Sequence, residues 1–582
     1  MLRRRGFLAG TLFSLTVFLL VMLFVPMRYE ANDDGAILNA VRGDRVFQAD
    51  ATSSFMSQSM TDLLLFLYRL NPHFPWYSII IYAAVLAGAA LISGAVVRNG
   101  RDRYSLLLIF PALLVFCVCL FSAITFTSAA LFLEFGVLLS LLDWLIADVP
   151  PVKHGWAYGI FITLCLFLAY LLRWQLVLFF LAFATPVAVY AKPAQLKKLL
   201  PFLALFLLLV SGDQLLLHSS DSPQRRAFQH YSVLRSEFND TFKGSYYGER
   251  TDRAIKLAGW TTADYLFFRH WVLYDNTLFN VSTLEKFLNA NTSEVSLADW
   301  TNILLKDTRK HLLPVRHLIA IFFFTCMAIL AMRYDSIKYL PRRDLARFAL
   351  SICGLLAGML FFIPFRFPDH IAIPLLVYVL GALCLLTAGP NGGKNILAAP
   401  RLHFSTFVIL LFFFLSLWQC VEQGRKILRE ADHSRNEHAY ISACLTQVAT
   451  SRPTPPLLVL MNPALGGGLR SEDAAPLREG SPTPSLTVFP SGWEINSPRY
   501  FSALQLLGLK DGRQFLEWLA NKENVFLVMF QQYPEAGRIV EEDWLSYYRS
   551  RIFPKDKVRL KIMYDFRGHK GYGLVFYRIE TV

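Results

Sequence analysis

The sequence has no glycine-rich loop suited to cradling a nucleotide phosphate, no His or Cys spacing that fits a metal, and no nucleophile elbow. Gly466-Gly467-Gly468 lacks the residues that surround such a run in a P-loop. These absences point away from an ATP-driven machine and from a cytoplasmic nucleotide-sugar enzyme. Cysteine carries no motif either. Cys117, Cys119, Cys165, Cys326, Cys353 and Cys384 lie in apolar runs, where a thiol packs as a small hydrophobe. Cys420 and Cys444 flank the start of the C-terminal region and are candidates for a disulfide if that region faces an oxidising compartment. Internal repeats and low-complexity tracts are absent. No small-residue cleavage site follows the first apolar run, Gly6–Val25 after Arg3-Arg4-Arg5, so this run is expected to stay as a first membrane helix.

What the chain does have is apolar length. Of 582 residues, 54% are hydrophobic and 49 are Phe, the profile of a polytopic membrane protein. Spans of roughly 20 apolar residues are expected at 7–26, 76–97, 104–124, 128–147, 156–172, 174–190, 199–217, 315–332, 346–364, 371–388 and 403–420. The fold class expected is therefore mainly α, with about eleven transmembrane helices. With the N-terminus cytoplasmic, the inner loops carry Arg98, Arg101 and Arg103, then Lys153, then Lys192, Lys197 and Lys198, then Arg333, Lys338, Arg342 and Arg343, then Lys394 and Arg401. The outer turns near 125, 173 and 366 carry few cations, as the positive-inside bias requires. The formal charge of +14 is thus largely orienting charge, and nucleic acid is not an expected partner.

This topology puts 27–75, 218–314 and 421–582 outside, in a transmembrane domain 1–420 and an extracytoplasmic domain 421–582. In the first outer loop Met56, Met60, Leu63, Leu67 and Leu70 recur at helical spacing, which predicts an amphipathic helix on the membrane surface. The last segment alternates strands at Leu457–Met461, Val525–Phe530, Leu560–Tyr564 and Gly573–Tyr577 with helical stretches, and reads as a small α/β domain.

The residues that can carry chemistry are few. Asp33 and Asp34 open the first outer loop at the bilayer boundary. An Asx side chain there can cap a helix, and a carboxylate there can take a proton from an incoming hydroxyl. Arg173 sits in a tight outer turn, where a guanidinium can hold a phosphate bidentately or anchor the topology. Arg366 and His370 share a turn with Pro368. Glu134 and Asp213 lie within spans on the outer side, and ionisable residues there are functional candidates. In the second loop Asp264, Arg269 and Asp275 fall in one helix-sized stretch, as a solvated face or as acceptor contacts.

The order of parts resembles the GT-C superfamily: a first span, an outer loop opening on Asn32-Asp33-Asp34, a surface helix, many spans and a terminal outer domain. Members are integral membrane glycosyltransferases that use polyprenyl-phosphate-linked sugars. Asn32-Asp33-Asp34 through Arg42-Gly43, Leu67-Tyr68, Pro75-Trp76-Tyr77 and Gly259-Trp260-Thr261-Thr262-Ala263-Asp264-Tyr265 are also similar to a set of bacterial multispan proteins. The resemblance implies an inverting transferase of the plasma membrane, with an Asp of the first loop, Asp33 or Asp34, as base. It implies basic residues on outer turns for the donor phosphate, a role for which Arg173, Arg366 and His370 are suitably placed. It implies a glycan, lipid or protein acceptor, and a divalent metal in some members only. A lipid-linked glycan flippase, a surface-glycan polymerase or ligase, and a scaffold are the competing classes.

Overall fold

The computed structural model describes residues 2–25, 27–29, 32–43, 47–53, 55–99, 103–147, 155–176, 183–220, 222–240, 242–244, 246, 248–292, 315–338, 342–362, 369–388, 404–454, 456–461, 487–520, 522–530, 541–553, 558–566 and 573–581. Long apolar runs become helices because backbone in lipid has to satisfy its own polar groups. The first part contains α1 (Leu2–Phe24), β1 (Arg28–Tyr29), α2 (Asn32–Arg42), α3 (Gln58–Leu70), α4 (Trp76–Asn99), α5 (Arg103–Ser122), β2 (Ala123–Ile124), α6 (Phe126–Ala147) and α7 (Gly155–Leu172). There follow α8 (Thr185–Tyr190), α9 (Pro193–Ser220), α10 (Pro223–Asp240), α11 (Glu249–Leu257), α12 (Thr262–Arg269) and α13 (Val281–Thr292). The last helices of the bundle are α14 (Arg316–Lys338), α15 (Arg342–Phe362), α16 (Asp369–Ala388) and α17 (Phe404–Thr450).

Among the described residues, six helices are long and apolar enough to cross a membrane, and three shorter apolar helices accompany them. The helix expected over 174–190 is not one element: a 3₁₀ turn at Trp174–Leu176 and the short α8 stand there, with 177–182 outside the described residues. Arg173 and Pro186 flank this break, a charge and an imino acid that a continuous helix carries poorly. In the centre, α4 and α6 pack backbone to backbone. A Cβ on Gly88 would lie 2.7 Å from the Phe132 carbonyl, and one on Gly10 2.4 Å from Gly94 N of the helix that α1 crosses. Small residues drive such contacts, since lipid offers no hydrophobic gain for association. Gly88→Leu is accordingly expected to part α4 from α6. Size-exclusion chromatography in detergent should then show aggregate, and a monodisperse wild-type peak would contradict the packing.

The helix expected in the first outer loop is present as α3, and of its apolar stripe Met60 is buried while Leu63 and Leu70 are exposed. Ser57 caps it, accepting from Met60 N at 3.2 Å, and Met60, Leu64 and Tyr68 are buried. Leu63, Phe66 and Leu70 are exposed. Both sides of this helix are apolar, so the stripe read from the sequence did not decide which side faces the protein. The outer side suits lipid.

The C-terminal strands are β3 (Leu457–Leu460), β4 (Thr487–Val488), β5 (Val525–Phe530), β6 (Val558–Asp565) and β7 (Leu574–Thr581), in the order β4-β3-β5-β7-β6. β3 pairs in parallel with β4 and β5, and β7 is antiparallel to β5 and β6. Strand periodicity sends alternate residues to opposite faces. Leu458, Leu460, Phe526, Val528, Leu574 and Phe576 meet Ile441, Cys444 and Val448 of α17, while Val459, Leu527, Val575 and Tyr577 join the apolar core of 231–288. The second loop and the C-terminal segment therefore share one core, and α17 runs unbroken from the bundle to the sheet. The Cys420–Cys444 disulfide is ruled out by that helix: the two thiols are free, and at 1.5 Å per residue they stand about 36 Å apart along it.

Candidate active site

The acidic pair lies in the first turn of α2, where carboxylates complement the helix dipole. Its two members differ sharply. Asp34 is fully buried: its Oδ1 accepts from Tyr77 Oη at 2.6 Å and from Phe126 N at 2.9 Å. Asp34 thus caps a helix, but the helix is α6 rather than its own, and the capped amide is 92 positions along the chain. The α6 terminus is further fixed by a reciprocal pair: Ser128 Oγ accepts from Thr125 N and Thr125 Oγ1 accepts from Ser128 N. Tyr29 belongs to the same clamp, its hydroxyl 2.5 Å from Ser78 Oγ and its ring against Tyr77. Burial pushes the Tyr29 phenol well above its ordinary value, and the negative Asp34 adds to the effect. Asp33, next in the chain, is only half-buried.

Arg173 reaches the same helix terminus from the end of α7. Its Nη1 donates to Thr127 Oγ1 at 2.6 Å, and its guanidinium lies over the rings of Phe126 and Phe55 at 5.2 and 5.6 Å. Phe126 therefore carries the clamped carboxylate on its amide and the cation on its ring. Ser57 N donates to Leu171 O at 2.9 Å, tying the first loop to the end of α7 beside it. The bundle end so formed combines a half-buried carboxylate with a guanidinium held by two aromatic faces.

His370 stands in the first turn of α16. Tyr378 stacks on Phe135 at 4.8 Å and a Cβ on Gly381 would touch Leu139, so α16 runs parallel to α6 and brings His370 level with the α6 N-terminus. Arg366 lies outside the described residues. Glu134 is buried on the Thr127 face of α6, about two turns deeper, and neither of its carboxylate oxygens has a hydrogen-bond partner among the described residues. Asp213 Oδ2 accepts from Tyr170 Oη at 2.7 Å, joining α9 to the end of α7.

The three residues of the second loop are engaged within the unit that it forms with the C-terminal segment. Asp264 closes a capping box with Thr261 and pairs with Arg551. Arg269 Nη1 donates to Gly244 O at 3.1 Å. Asp275 Oδ1 accepts from Thr277 Oγ1 at 2.6 Å and its Oδ2 from Tyr547 Oη at 3.0 Å. Burial, then the Asp275 charge, pushes the Tyr547 phenol well up, which keeps it a donor in this joint. Thr261, Thr277 and Gly244 lie within the second loop, and Arg551 and Tyr547 join it to the C-terminal segment. Among the described residues, no group of three His, Cys, Asp or Glu side chains could hold a metal ion.

Tyr77, Phe126, Thr127 and Phe55 were not foreseen as parts of the site. The only sequence signal was Tyr77, within the Pro75-Trp76-Tyr77 motif of the resemblance. Phe55, Phe126 and Thr127 are brought to Arg173 by tertiary packing alone.

No protein-family model matches the chain, and no curated protein does. Among solved structures the chain is similar to ArnT from Cupriavidus metallidurans bound to undecaprenyl phosphate, at 12% identity and a TM-score of 0.38, covering 98% of this chain and 97% of that one. It is similar to the apo state of the same protein at 13% identity and a TM-score of 0.37, with the same coverage.

Proposed function

We propose that the protein is an inverting membrane glycosyltransferase that moves a sugar from a polyprenyl-phosphate donor to an acceptor hydroxyl. The observation that carries the reading is the junction at Phe126, which sets the acidic pair and the Arg173 guanidinium on one helix terminus. Asp33 is the base. Its carboxylate takes the proton of the acceptor hydroxyl as that oxygen attacks the anomeric carbon. The bond from that carbon to the phosphate oxygen breaks on the opposite face, and the polyprenyl phosphate leaves with the electron pair. Negative charge then grows on the leaving group, where a fixed guanidinium stabilises it most. Asp34 serves the site through the fold, since its bonds to Tyr77 and Phe126 N fix α2 against α4 and α6, and with it the position of Asp33.

The distribution of loop cations supports a plasma-membrane protein with a cytoplasmic N-terminus, the site and the C-terminal sheet outside. A glycan, lipid or protein hydroxyl is the acceptor class. The test is transfer of radiolabelled sugar from polyprenyl-phosphate hexoses and pentoses by purified protein in nanodiscs, with the anomeric configuration of the product read by NMR. Retention of configuration, or lipid translocation without transfer, contradicts the proposal. Arg173→Gln removes the cation while keeping hydrogen-bonding capacity. It is expected to weaken binding of bare polyprenyl phosphate by about 10- to 100-fold, the worth of a charge-assisted hydrogen bond. Calorimetric titration checks this, and unchanged affinity would remove Arg173 from the phosphate site.

A further inference from the structure

Beyond the long helix α17, a side chain of the C-terminal segment enters the bundle. Trp493 packs with the bundle's own core, whereas Phe489 and Ile495 on either side of it belong to the core of the soluble unit. Its ring meets Phe55 edge-on at 5.6 Å, and Phe55 in turn lies under Arg173. The indole is buried, yet its Nε1 has no hydrogen-bond partner among the described residues. A buried donor left unmade costs about 1–3 kcal/mol, so one that persists calls for an explanation.

Left-handed backbone recurs around it, at residues that suit it and at one that does not. Gly492 and Asn496 have φ of 61° and 66°, and between them runs a single 3₁₀ turn that carries Trp493. The Trp493 carbonyl is pinned by Arg235 Nη1 at 2.6 Å, and Arg235 rests on the ring of Trp271, itself at φ 64°. A left-handed backbone is a genuine outlier for so bulky a residue and persists only when surrounding structure over-determines it. The turn is also fastened to the first loop: Arg499 N donates to Asp50 Oδ2 at 3.1 Å. This support holds the ring in place without supplying a partner for its N–H.

We propose that Trp493 is a substrate-contact residue whose indole N–H donates to a hydroxyl of the sugar on the lipid-linked donor. The inference rests on the glycosyltransferase reading above and names the group that would read its sugar. Two steps of 5.6 Å through Phe55 place the indole within about 11 Å of the Arg173 guanidinium. With a phosphate held there at a charge-assisted distance of about 2.8 Å, the separation is of the order spanned by one sugar bonded to that phosphate, with the Phe55 ring beside it. An aromatic ring with a polar edge suits that ligand, since it offers apolar surface to the sugar's C–H face and a donor to its rim.

The test uses the full-length protein in nanodiscs and two probes, polyprenyl-phosphate glucose and bare polyprenyl phosphate. Mannose and galactose versions are added if glucose is not bound. Trp493→Phe keeps a ring against Phe55 and removes only the N–H. It is expected to weaken binding of the sugar-bearing lipid about 3- to 10-fold, as loss of one hydrogen bond does, with a matching rise in KM and little change in kcat. Affinity for bare polyprenyl phosphate should stay at the wild-type value. Unchanged affinity for both probes would make Trp493 a packing residue and overturn the inference, and equal loss for both would assign the N–H to the phosphate instead. If wild-type protein binds no polyprenyl-phosphate sugar, the glycosyltransferase reading itself fails. Trp493→Phe protein that elutes as aggregate is replaced by a deoxy-sugar donor series on wild type, in which one missing hydroxyl should reproduce the same loss.

Discussion

Asp33→Asn is expected to slow sugar transfer by about 10²- to 10⁴-fold, the range a positioned general base contributes. The change keeps the size and the hydrogen-bonding capacity of the side chain while removing its ability to take a proton. Asp33 is half-buried in the first turn of α2, whereas Asp34 is fully buried and holds Tyr77 and the Phe126 amide, and Asn keeps the size of the Asp33 side chain. Thermal stability and binding of polyprenyl phosphate should therefore remain near wild type. The loss should fall on kcat rather than on KM for the donor, because a base acts on the acceptor hydroxyl in the transition state. Single-turnover transfer of labelled sugar measures this directly.

Asp34→Ala is expected to act through the fold. It strands the Tyr77 hydroxyl and the Phe126 amide, both buried, and each unmade bond costs about 1–3 kcal/mol. It also removes the cap of α6, the helix whose span is 83% buried at the centre of the bundle. Melting temperature should fall, and transfer should fall with it because the α6 terminus that holds the Arg173 guanidinium loosens. Asp34→Asn should recover part of the stability, since an amide oxygen can still accept from both donors. A melting curve followed by intrinsic fluorescence separates the two variants. Wild-type stability in Asp34→Ala would show that the clamp does not hold the bundle end.

Much of this was legible in the sequence, for physical reasons that also mark where legibility stopped. Apolar length translates directly into helices, so most of the expected spans coincide with helices. The break after Leu172 was visible as Arg173, but the short element that follows it was not. The strands at 457–460 and 525–530 were readable because both faces of a central strand are buried and continuous apolar runs fill them. The acidic pair stood out by position. Its division of labour did not, because Tyr77 and Phe126 reach Asp34 across 43 and 92 positions of chain. Asp264 and Asp275 look like site residues in sequence for the same reason that they are good structural joints: each is a lone carboxylate among aromatics. Their partners, Arg551 and Tyr547, lie 287 and 272 positions away. The Cys420–Cys444 pairing failed because the chain between the two thiols continues as part of one helix of 47 residues.

The most direct test of the central claim, that one carboxylate of the pair reacts while the other positions it, compares Asp33→Asn and Asp34→Ala in a single experiment. Melting temperature and single-turnover sugar transfer are measured on the same preparations in nanodiscs. The account predicts wild-type stability with transfer nearly abolished in Asp33→Asn, and lowered stability in Asp34→Ala. Full transfer by Asp33→Asn, with Asp34→Ala stable but inactive, would contradict it and move the base to Asp34.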